Sequence, residues 1–252
     1  MHGNGEMGWL TGSNGEPSPI PRARLRPARR RVIAEIRYGA KRLLDIGLSA
    51  FLLILLAPAF AAIALAIKLD SRGTVVFVQA RAGSRRVAQR GRVWWEPRVF
   101  PCFKFRSMVA SSNDSAHAAH VTRFVNGSID AAAEETVKMT GDARVTRVGR
   151  ILRRTSLDEL PQLVNVLKGD MSLVGPRPVP LYEVAEYEPW HYERLAARPG
   201  ITGLWQVHGR GRVSFTEMMR MDIDYVRKPS LAADMKLLAL TVPAVLNGKG
   251  AH

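Results

Sequence analysis

Asp158 and Glu159 stand side by side in a strongly basic neighbourhood, with Arg147, Arg150, Arg153 and Arg154 ahead of them and Leu160-Pro161 behind. Two adjacent carboxylates can divide the work of phosphoryl transfer, one attacking phosphorus while the other helps to hold a divalent cation. Oxygen ligands suit Mg2+, which often bridges a protein carboxylate and a substrate phosphate. The surrounding guanidinium groups bind diphosphate oxygens, in bidentate fashion where geometry permits. A helix N-terminus near Pro161 adds partial positive charge. The same acids also fit a plainer role, since carboxylates in a first turn stabilise the helix that follows. The charge pattern leaves both readings open.

The elements that must hold these residues follow from periodicity. Leu157, Leu160, Leu163, Val164 and Leu167 recur at spacings of three and four, so a helix is expected from about Pro161, closed by Gly169. Gly175-Pro176-Arg177-Pro178 reads as a rigid turn, and Pro199–Gly203 as another. Leu181–Ala197, Phe215–Val226 and Leu231–Leu246 read as helices. Upstream, Thr74–Gln79 and Phe100–Phe105 read as short strands, and the basic stretch Ala82–Arg92 as a turn back into Val93–Trp95. Val109–Thr140 is polar and Ala-rich, and reads as a surface insertion (109–140). His117 and His120 lie three apart in it; without a third ligand they fit a solvated pair better than a metal site. The expected fold is a small α/β-type domain, mostly helical with a few short strands.

The 22 residues Ile46–Ile67 carry no charge and are almost wholly apolar, which is the length of a membrane-inserted helix. Both flanks are basic: Lys41 and Arg42 precede the run and Lys68 closes it. Basic flanks are retained in the cytoplasm, so a helix that enters and leaves on the same side satisfies both ends. Pro58 supplies the bend, by removing a backbone donor and clashing one turn back. Cut there, Ile46–Ala57 is roughly 18 Å long at the helical rise, too short to cross alone. A kinked spanning helix is the alternative. The expected organisation is a disordered basic extension (1–40), a membrane-inserted helix (41–67) and a catalytic domain (68–252).

The chain has 252 residues and a formal net charge of +15. About 185 residues after the anchor suffice for one domain with a core. That charge suits nucleic acid, anionic lipid or phosphorylated ligands. With an apolar anchor beside it, and no zinc-finger, RNP-like or helix-turn-helix pattern, lipid and phosphate partners are favoured over nucleic acid. Cys102, the single cysteine, reads as a small packed residue. Nothing in the pattern specifies an oligomer.

The string from Leu152 to Pro178, LRRTSLDELPQLVNVLKGDMSLVGPRP, closely resembles the bacterial sugar transferases, the monotopic polyprenyl-phosphate phosphoglycosyl transferases. KRLLD (Lys41–Asp45), IKLDSRG (Ile67–Gly73), KFRSM (Lys104–Met108), RPGITGLWQV (Arg198–Val207) and DIDYV (Asp222–Val226) follow the same family in order. The resemblance implies a re-entrant helix at the cytoplasmic face of the bacterial inner membrane. It also implies Mg2+-dependent transfer of sugar-1-phosphate from a nucleoside diphosphate sugar, by family frequency a UDP-hexose, to undecaprenyl phosphate, which initiates a surface glycan. By motif position Asp158 would be the nucleophile and Glu159 a magnesium ligand. Arg153 and Arg177 would bind phosphate oxygens, with Lys104 and Arg106 close by. Gln206, His208 and Arg210 would belong to a substrate loop, and Asp222 is a weaker carry-over.

The chain departs from that pattern in the Val109–Thr140 stretch, which is longer than a minimal catalytic core needs, and at two single positions. Ala57 replaces the serine often found before the bend proline. His208 stands where asparagine is usual. Two other functions use the same features: a hydrolase passing the phosphoryl group to water, and a non-catalytic scaffold that recruits through its basic surface.

Overall fold

A computed structural model describes residues 9–11, 17–21, 32–89, 92–109, 115–125, 144–209 and 213–246. Strands β1 (Trp9–Thr11) and β2 (Pro17–Pro21) pair antiparallel, and helix α1 (Val32–Leu55) starts well ahead of Lys41. The expected disorder of residues 1–40 therefore gives way to structure at these three places. α2 (Ala57–Asp70) follows after a turn at Leu56, with Pro58 in its first two helical positions. There the missing N–H costs little, because the first amides of a helix have no internal acceptor. α1 and α2 meet at a bend of 61°. Among the described residues no single helix is long and apolar enough to cross a membrane, but this bent pair passes the same test jointly. Phe51, Ile54, Leu55, Leu65 and Leu69 on it all stay more than half exposed.

The first half of α1 is bound to the rest of the chain by the KRLLD string. Lys41 Nζ donates to Asp234 (2.8 Å) and to the Val174 carbonyl (3.0 Å). Arg42 donates to the carbonyls of Val166 and Leu167 at 2.6 and 2.8 Å, covering a helix C-terminus. Asp45, 1% exposed, accepts from Ser172 Oγ and the Leu173 amide. Three side chains on one helix therefore fix the angle at which the apolar segment leaves the domain.

β3 (Val76–Gln89) and β4 (Arg92–Phe105) form one long antiparallel hairpin, in unbroken register from Val76↔Phe105 to Gln89↔Arg92. The expected short strands and basic turn at Ala82–Arg92 are corrected here. The alternation of the strand hides behind Arg81, Arg85 and Arg86, whose charges suggest a loop. α3 (Ser115–Val125) lies inside the expected surface insertion, yet Val121 and Phe124 are buried, and Phe124 packs edge-on against Phe215 at 5.9 Å. This part of the insertion belongs to the core. His117 and His120 lie on α3; the remainder of the expected insertion, 110–114 and 126–140, lies outside the described residues.

α4 (Arg147–Arg154), a 3-10 turn (Leu157–Glu159) and α5 (Gln162–Lys168) come next, and Gly169 caps α5 with φ +85°. β5 (Ser172–Val174), β6 (Val179–Pro180) and α6 (Leu181–Val184) follow, with β6 completing a sheet of order β4-β3-β6. The expected helix over Leu181–Ala197 is instead α6 and a 3-10 turn, His191–Leu195. Pro189 lies between them and disfavours helix in the residue before it. β7 (Gly200–Thr202), α7 (Leu204–His208), α8 (Phe215–Arg227) and α9 (Leu231–Leu246) close the chain. The last two helices match expectation, and Ser214 and Glu217 form a capping box on α8.

β5 and β7 run parallel, and their loops cross at glycine. Gly175 N donates to the Thr202 carbonyl (2.9 Å) and Gly200 N to the Pro176 carbonyl (2.8 Å). A Cβ at Gly200 would lie 2.1 Å from Gly175 N and 2.5 Å from Thr202 O, both backbone atoms that cannot rotate away. Gly200→Ala is expected to destabilise the chain by about 1–3 kcal/mol or more, read as a lower urea midpoint at unchanged slope. This crossing holds the Gly175–Pro178 turn, which carries Arg177, against the domain.

Candidate active site

The approach to Asp158 is built by α4. Thr146 caps it by accepting from Gly149 N at 2.9 Å. Gly149 presses the helix onto the strand end: a Cβ there would lie 2.0 Å from the Ser107 carbonyl oxygen. The helix ends at Thr155, whose hydroxyl donates back to the Ile151 carbonyl (2.8 Å). Ser156 then turns left-handed, φ 56° and ψ 16°, the one non-glycine residue with positive φ among the described residues. Such a conformation costs about 1–3 kcal/mol and persists only where the surroundings enforce it. It folds the 3-10 turn inward, so that Leu157 joins the cluster of Ile67, Phe105 and Leu152.

Asp158 is 4% exposed, and its Oδ1 is buried with no hydrogen-bond partner. Gln162, four residues on and 1% exposed, has an equally unpartnered Oε1. Glu159 points elsewhere, to Lys104 Nζ at 3.0 Å. Both members of that pair are about one-sixth exposed, so their attraction is only partly screened. Lys104 reaches this position because α5 is tied to the free edge of β4. Asn165 accepts from the Phe103 amide (3.0 Å) and donates to the Pro101 carbonyl (2.7 Å), replacing a neighbouring strand. The sequence alone does not single out Asn165 or Gln162. Each is a lone amide, and only burial reveals its role.

Behind this turn lies a concentration of charge around Cys102. Burial pushes the thiol up, and Lys104, Arg81, Glu159 and Arg177 all act electrostatically on its sulfur. The thiol is therefore protonated packing. Arg81 is 7% exposed and donates to Gln79 Oε1 (2.6 Å) and the Pro178 carbonyl (3.3 Å). Burial is the main cause that lowers its pKa, and the like charge of Arg177 adds to it. The Arg177 guanidinium makes no hydrogen bond or ion pair among the described residues, so its donors remain for a ligand. Arg81 is a further functional candidate that the sequence motifs do not mark; an arginine within a strand between apolar neighbours is its only signal.

The other expected site residues separate. Arg153 sits in the last turn of α4, half-buried, just ahead of the acidic turn. Arg106 does not face this site. Its guanidinium donates to the carbonyls of Arg72 (2.8 Å) and Ser71 (2.7 Å) and to Ser71 Oγ (3.0 Å), closing the C-terminus of α2. It is a clamp on the apolar pair, which corrects its expected place beside phosphate. Gln206 donates to the Ile201 carbonyl (3.1 Å), and exposed His208 bonds back to Leu204 within α7 (3.1 Å). Asp222 is 1% exposed and bound to Arg194, so it belongs to the interior and not to a substrate loop. Arg210 lies outside the described residues.

Among the described residues no group of three or more His, Cys, Asp or Glu side chains could enclose a metal. A hard cation such as Mg2+ needs less, since it commonly takes one or two carboxylates and fills its remaining positions with water and substrate phosphates. The unpartnered Oδ1 of Asp158 and the Glu159 carboxylate are oxygen donors of the right kind, and Glu159 would have to turn from Lys104 to share one cation with Asp158.

A buried carboxylate, a lysine–glutamate pair beside it and unspent guanidinium donors behind it describe a site built for phosphate chemistry. Residues 36–248 match the family described as Bacterial sugar transferase, and the chain belongs to that family. It is 38% identical over 215 residues to the exopolysaccharide production protein ExoY of Rhizobium meliloti, covering 84% of this chain and 88% of that protein. It is 41% identical to the UDP-glucose:undecaprenyl-phosphate glucose-1-phosphate transferase of Caulobacter vibrioides, over 88% of this chain and 74% of that one. It is 40% identical to the undecaprenyl-phosphate galactose phosphotransferase of Salmonella typhimurium, over 84% of this chain but 41% of the larger protein.

Proposed function

We propose that this chain transfers sugar-1-phosphate from a nucleoside diphosphate sugar, a UDP-hexose, to undecaprenyl phosphate, initiating a surface glycan such as an exopolysaccharide. The observation that carries the reading is the buried, unpartnered Asp158 Oδ1 next to the Lys104–Glu159 pair. An ionised carboxylate is nucleophilic at neutral pH, so no histidine is required to activate it. Asp158 attacks the sugar-bearing phosphorus. The bond from that phosphorus to the bridging oxygen breaks, and nucleoside monophosphate leaves with the electron pair. A phosphate oxygen of undecaprenyl phosphate then attacks the aspartyl phosphosugar, and the carboxylate is restored as the lipid-linked diphosphosugar departs.

Phosphoryl transfer depends on in-line positioning and on neutralising the equatorial oxygens. Arg177 and Arg81 present fixed positive charge behind the site, Lys104 presents it from β4, and Arg153 approaches from α4. Glu159 and Asp158 would hold Mg2+, whose chemistry there is to neutralise charge on the diphosphate. The bent α1–α2 pair would enter and leave the bacterial inner membrane from its cytoplasmic face. The exposed apolar side chains at its bend and the basic flanks at its base support that placement, with anionic lipids at the flanks. A re-entrant anchor sets the acidic turn near headgroup depth, where a prenyl phosphate presents its phosphate.

Incubation of the purified chain with Mg2+, undecaprenyl phosphate and a panel of labelled nucleotide sugars tests the reading. Labelled sugar is expected in the lipid phase, with stoichiometric nucleoside monophosphate. Label recovered as water-soluble sugar phosphate would instead mark a hydrolase. Lys104→Gln is expected to lower kcat/KM on the order of 10²-fold, as for loss of one charge-stabilising donor. Lys104→Arg should restore part of it in the same steady-state assay.

A further inference from the structure

A cavity of about 570 Å3 opens where α1 meets the junction of α8 and α9. Its volume is that of a small-ligand site. None of Asp158, Glu159, Lys104, Arg153 or Arg177 lines it. Six cationic and two acidic side chains do, and six of these eight are already matched among the described residues. Lys41 is on Asp234, Arg86 on Glu35 (2.5 Å), and Arg227 on Glu193 (2.6 Å). Arg42 is spent on α5 carbonyls, and Asp45 on Ser172 and Leu173.

Two arginines are the exceptions, exposed Arg37 and the more buried Arg198. Arg198 is half-buried, its Nε is buried without a partner, and its guanidinium makes no hydrogen bond or ion pair among the described residues. Its contact is the ring of Tyr38, 5.3 Å from the guanidinium carbon, and the same ring carries Arg86 at 4.3 Å. Burial lowers its pKa and the like charges of Arg42 and Arg98 add to that, against the pull of Tyr38 and of Asp45, which is itself spent on Ser172 and Leu173; an arginine remains charged throughout the physiological range. A desolvated charge without a counter-ion is unfavourable. Exposed Arg37 stands at the same cavity, also without an ion-pair or hydrogen-bond partner among the described residues.

We infer that this cavity is a second anion site, which takes the phosphate of a phosphate ester on Arg198, with Arg37 at its mouth. The guanidinium fork matches phosphate oxygens, and the Tyr38 ring fixes its plane. The volume leaves room for the esterified group beside the phosphate. Arg37, Tyr38 and Lys41 lie on α1 within three turns of Ile46, where the uncharged run begins. A lipid headgroup is one source of such an ester and a soluble metabolite is the other. The lipid source rests on the membrane placement proposed above; the anion site does not.

The full chain in neutral detergent micelles is titrated with dioleoylphosphatidylglycerol or with sn-glycerol 3-phosphate, and binding is followed by calorimetry. At least one is expected to bind, and Arg198→Gln to weaken it by about tenfold or more, as for loss of a charge-assisted partner. Arg37→Gln, at an exposed position that carries no folding risk, should weaken it less but measurably. Asp158→Asn should bind as the wild type does. Binding of the lipid alone assigns the site to a headgroup, and equal binding of both assigns it to the phosphate ester itself. Absence of binding by either, or binding untouched by both arginine substitutions, overturns the inference. Flotation of the wild-type chain with phosphatidylcholine vesicles reads the membrane placement separately.

Discussion

Asp158→Asn is expected to abolish turnover, by on the order of 10⁴-fold or more, while the chain stays folded. An amide cannot attack phosphorus as a carboxylate does, and no second acid holds the same position, because Glu159 is turned to Lys104. Stability should not fall with activity. Asp158 is buried with an oxygen that no group among the described residues satisfies, so the amide breaks no hydrogen bond made by that oxygen. The variant is therefore expected to melt near the wild-type temperature, so that activity and stability separate. Mass spectrometry supplies the positive form of the test. Donor alone should add one hexose phosphate to the peptide containing Asp158 in the wild type and nothing in the variant. Full turnover with the amide in place would remove the nucleophile from the reading altogether.

Glu159→Gln separates the two acids. It leaves the nucleophile but removes the partner of Lys104, so the adduct should still form, slowly. Activity that tracks Asp158 in the trapping assay and Glu159 in its dependence on Mg2+ concentration is the signature of divided labour. A turn that merely stabilised its helix would lose stability with either substitution and would show no adduct.

Much of this arrangement is legible in the sequence because the acidic turn lies in a dense string of local signals: Pro161 opens α5, Gly169 ends it, and the leucine spacing fixes its face. The last two helices are equally plain, with period and capping residues in agreement on α8 and a sustained apolar pattern on α9. What escapes is set by tertiary contacts. The hairpin is hidden because Arg81, Arg85 and Arg86 resemble loop residues, whereas Arg81 is buried beside a carbonyl acceptor from a turn about a hundred residues away. Arg106 and Arg177 carry the same charge in equally basic contexts. One is consumed by the C-terminus of α2 and the other keeps its donors, a difference no spacing encodes. Asp222 resembles a substrate-loop acid for the same reason: sequence shows a charge but not its partner.

That partner, Arg194, is the second position with a large expected effect. It is 1% exposed and binds Asp222 through two nitrogens at 2.5 and 3.0 Å, Glu183 at 3.4 Å, and the Tyr187 hydroxyl. One cation thus compensates two buried carboxylates. Arg194→Met would leave both uncompensated and should cost about 3–5 kcal/mol, a large part of the stability of a domain this size. Asp222→Asn leaves Arg194 with Glu183, a balanced pair, and should cost far less. The surplus of negative charge also has a pH signature. Burial pushes the Asp222 carboxyl from 3.8 up to about 6 against the pull of Arg194, with the like charge of Glu183 adding to the rise. Between those values the folded chain binds a proton that the unfolded chain has lost. The contribution of this group to stability is therefore complete below about pH 4 and disappears as pH rises through about 6. Urea titrations across that window should show the slope in the wild type and its removal in Asp222→Asn. The consequence for catalysis is local, because Arg194 also donates to the Arg177 carbonyl at 3.2 Å. Substituting it should loosen the turn that presents Arg177, raising KM for the diphosphate donor in any fraction that remains folded at low temperature.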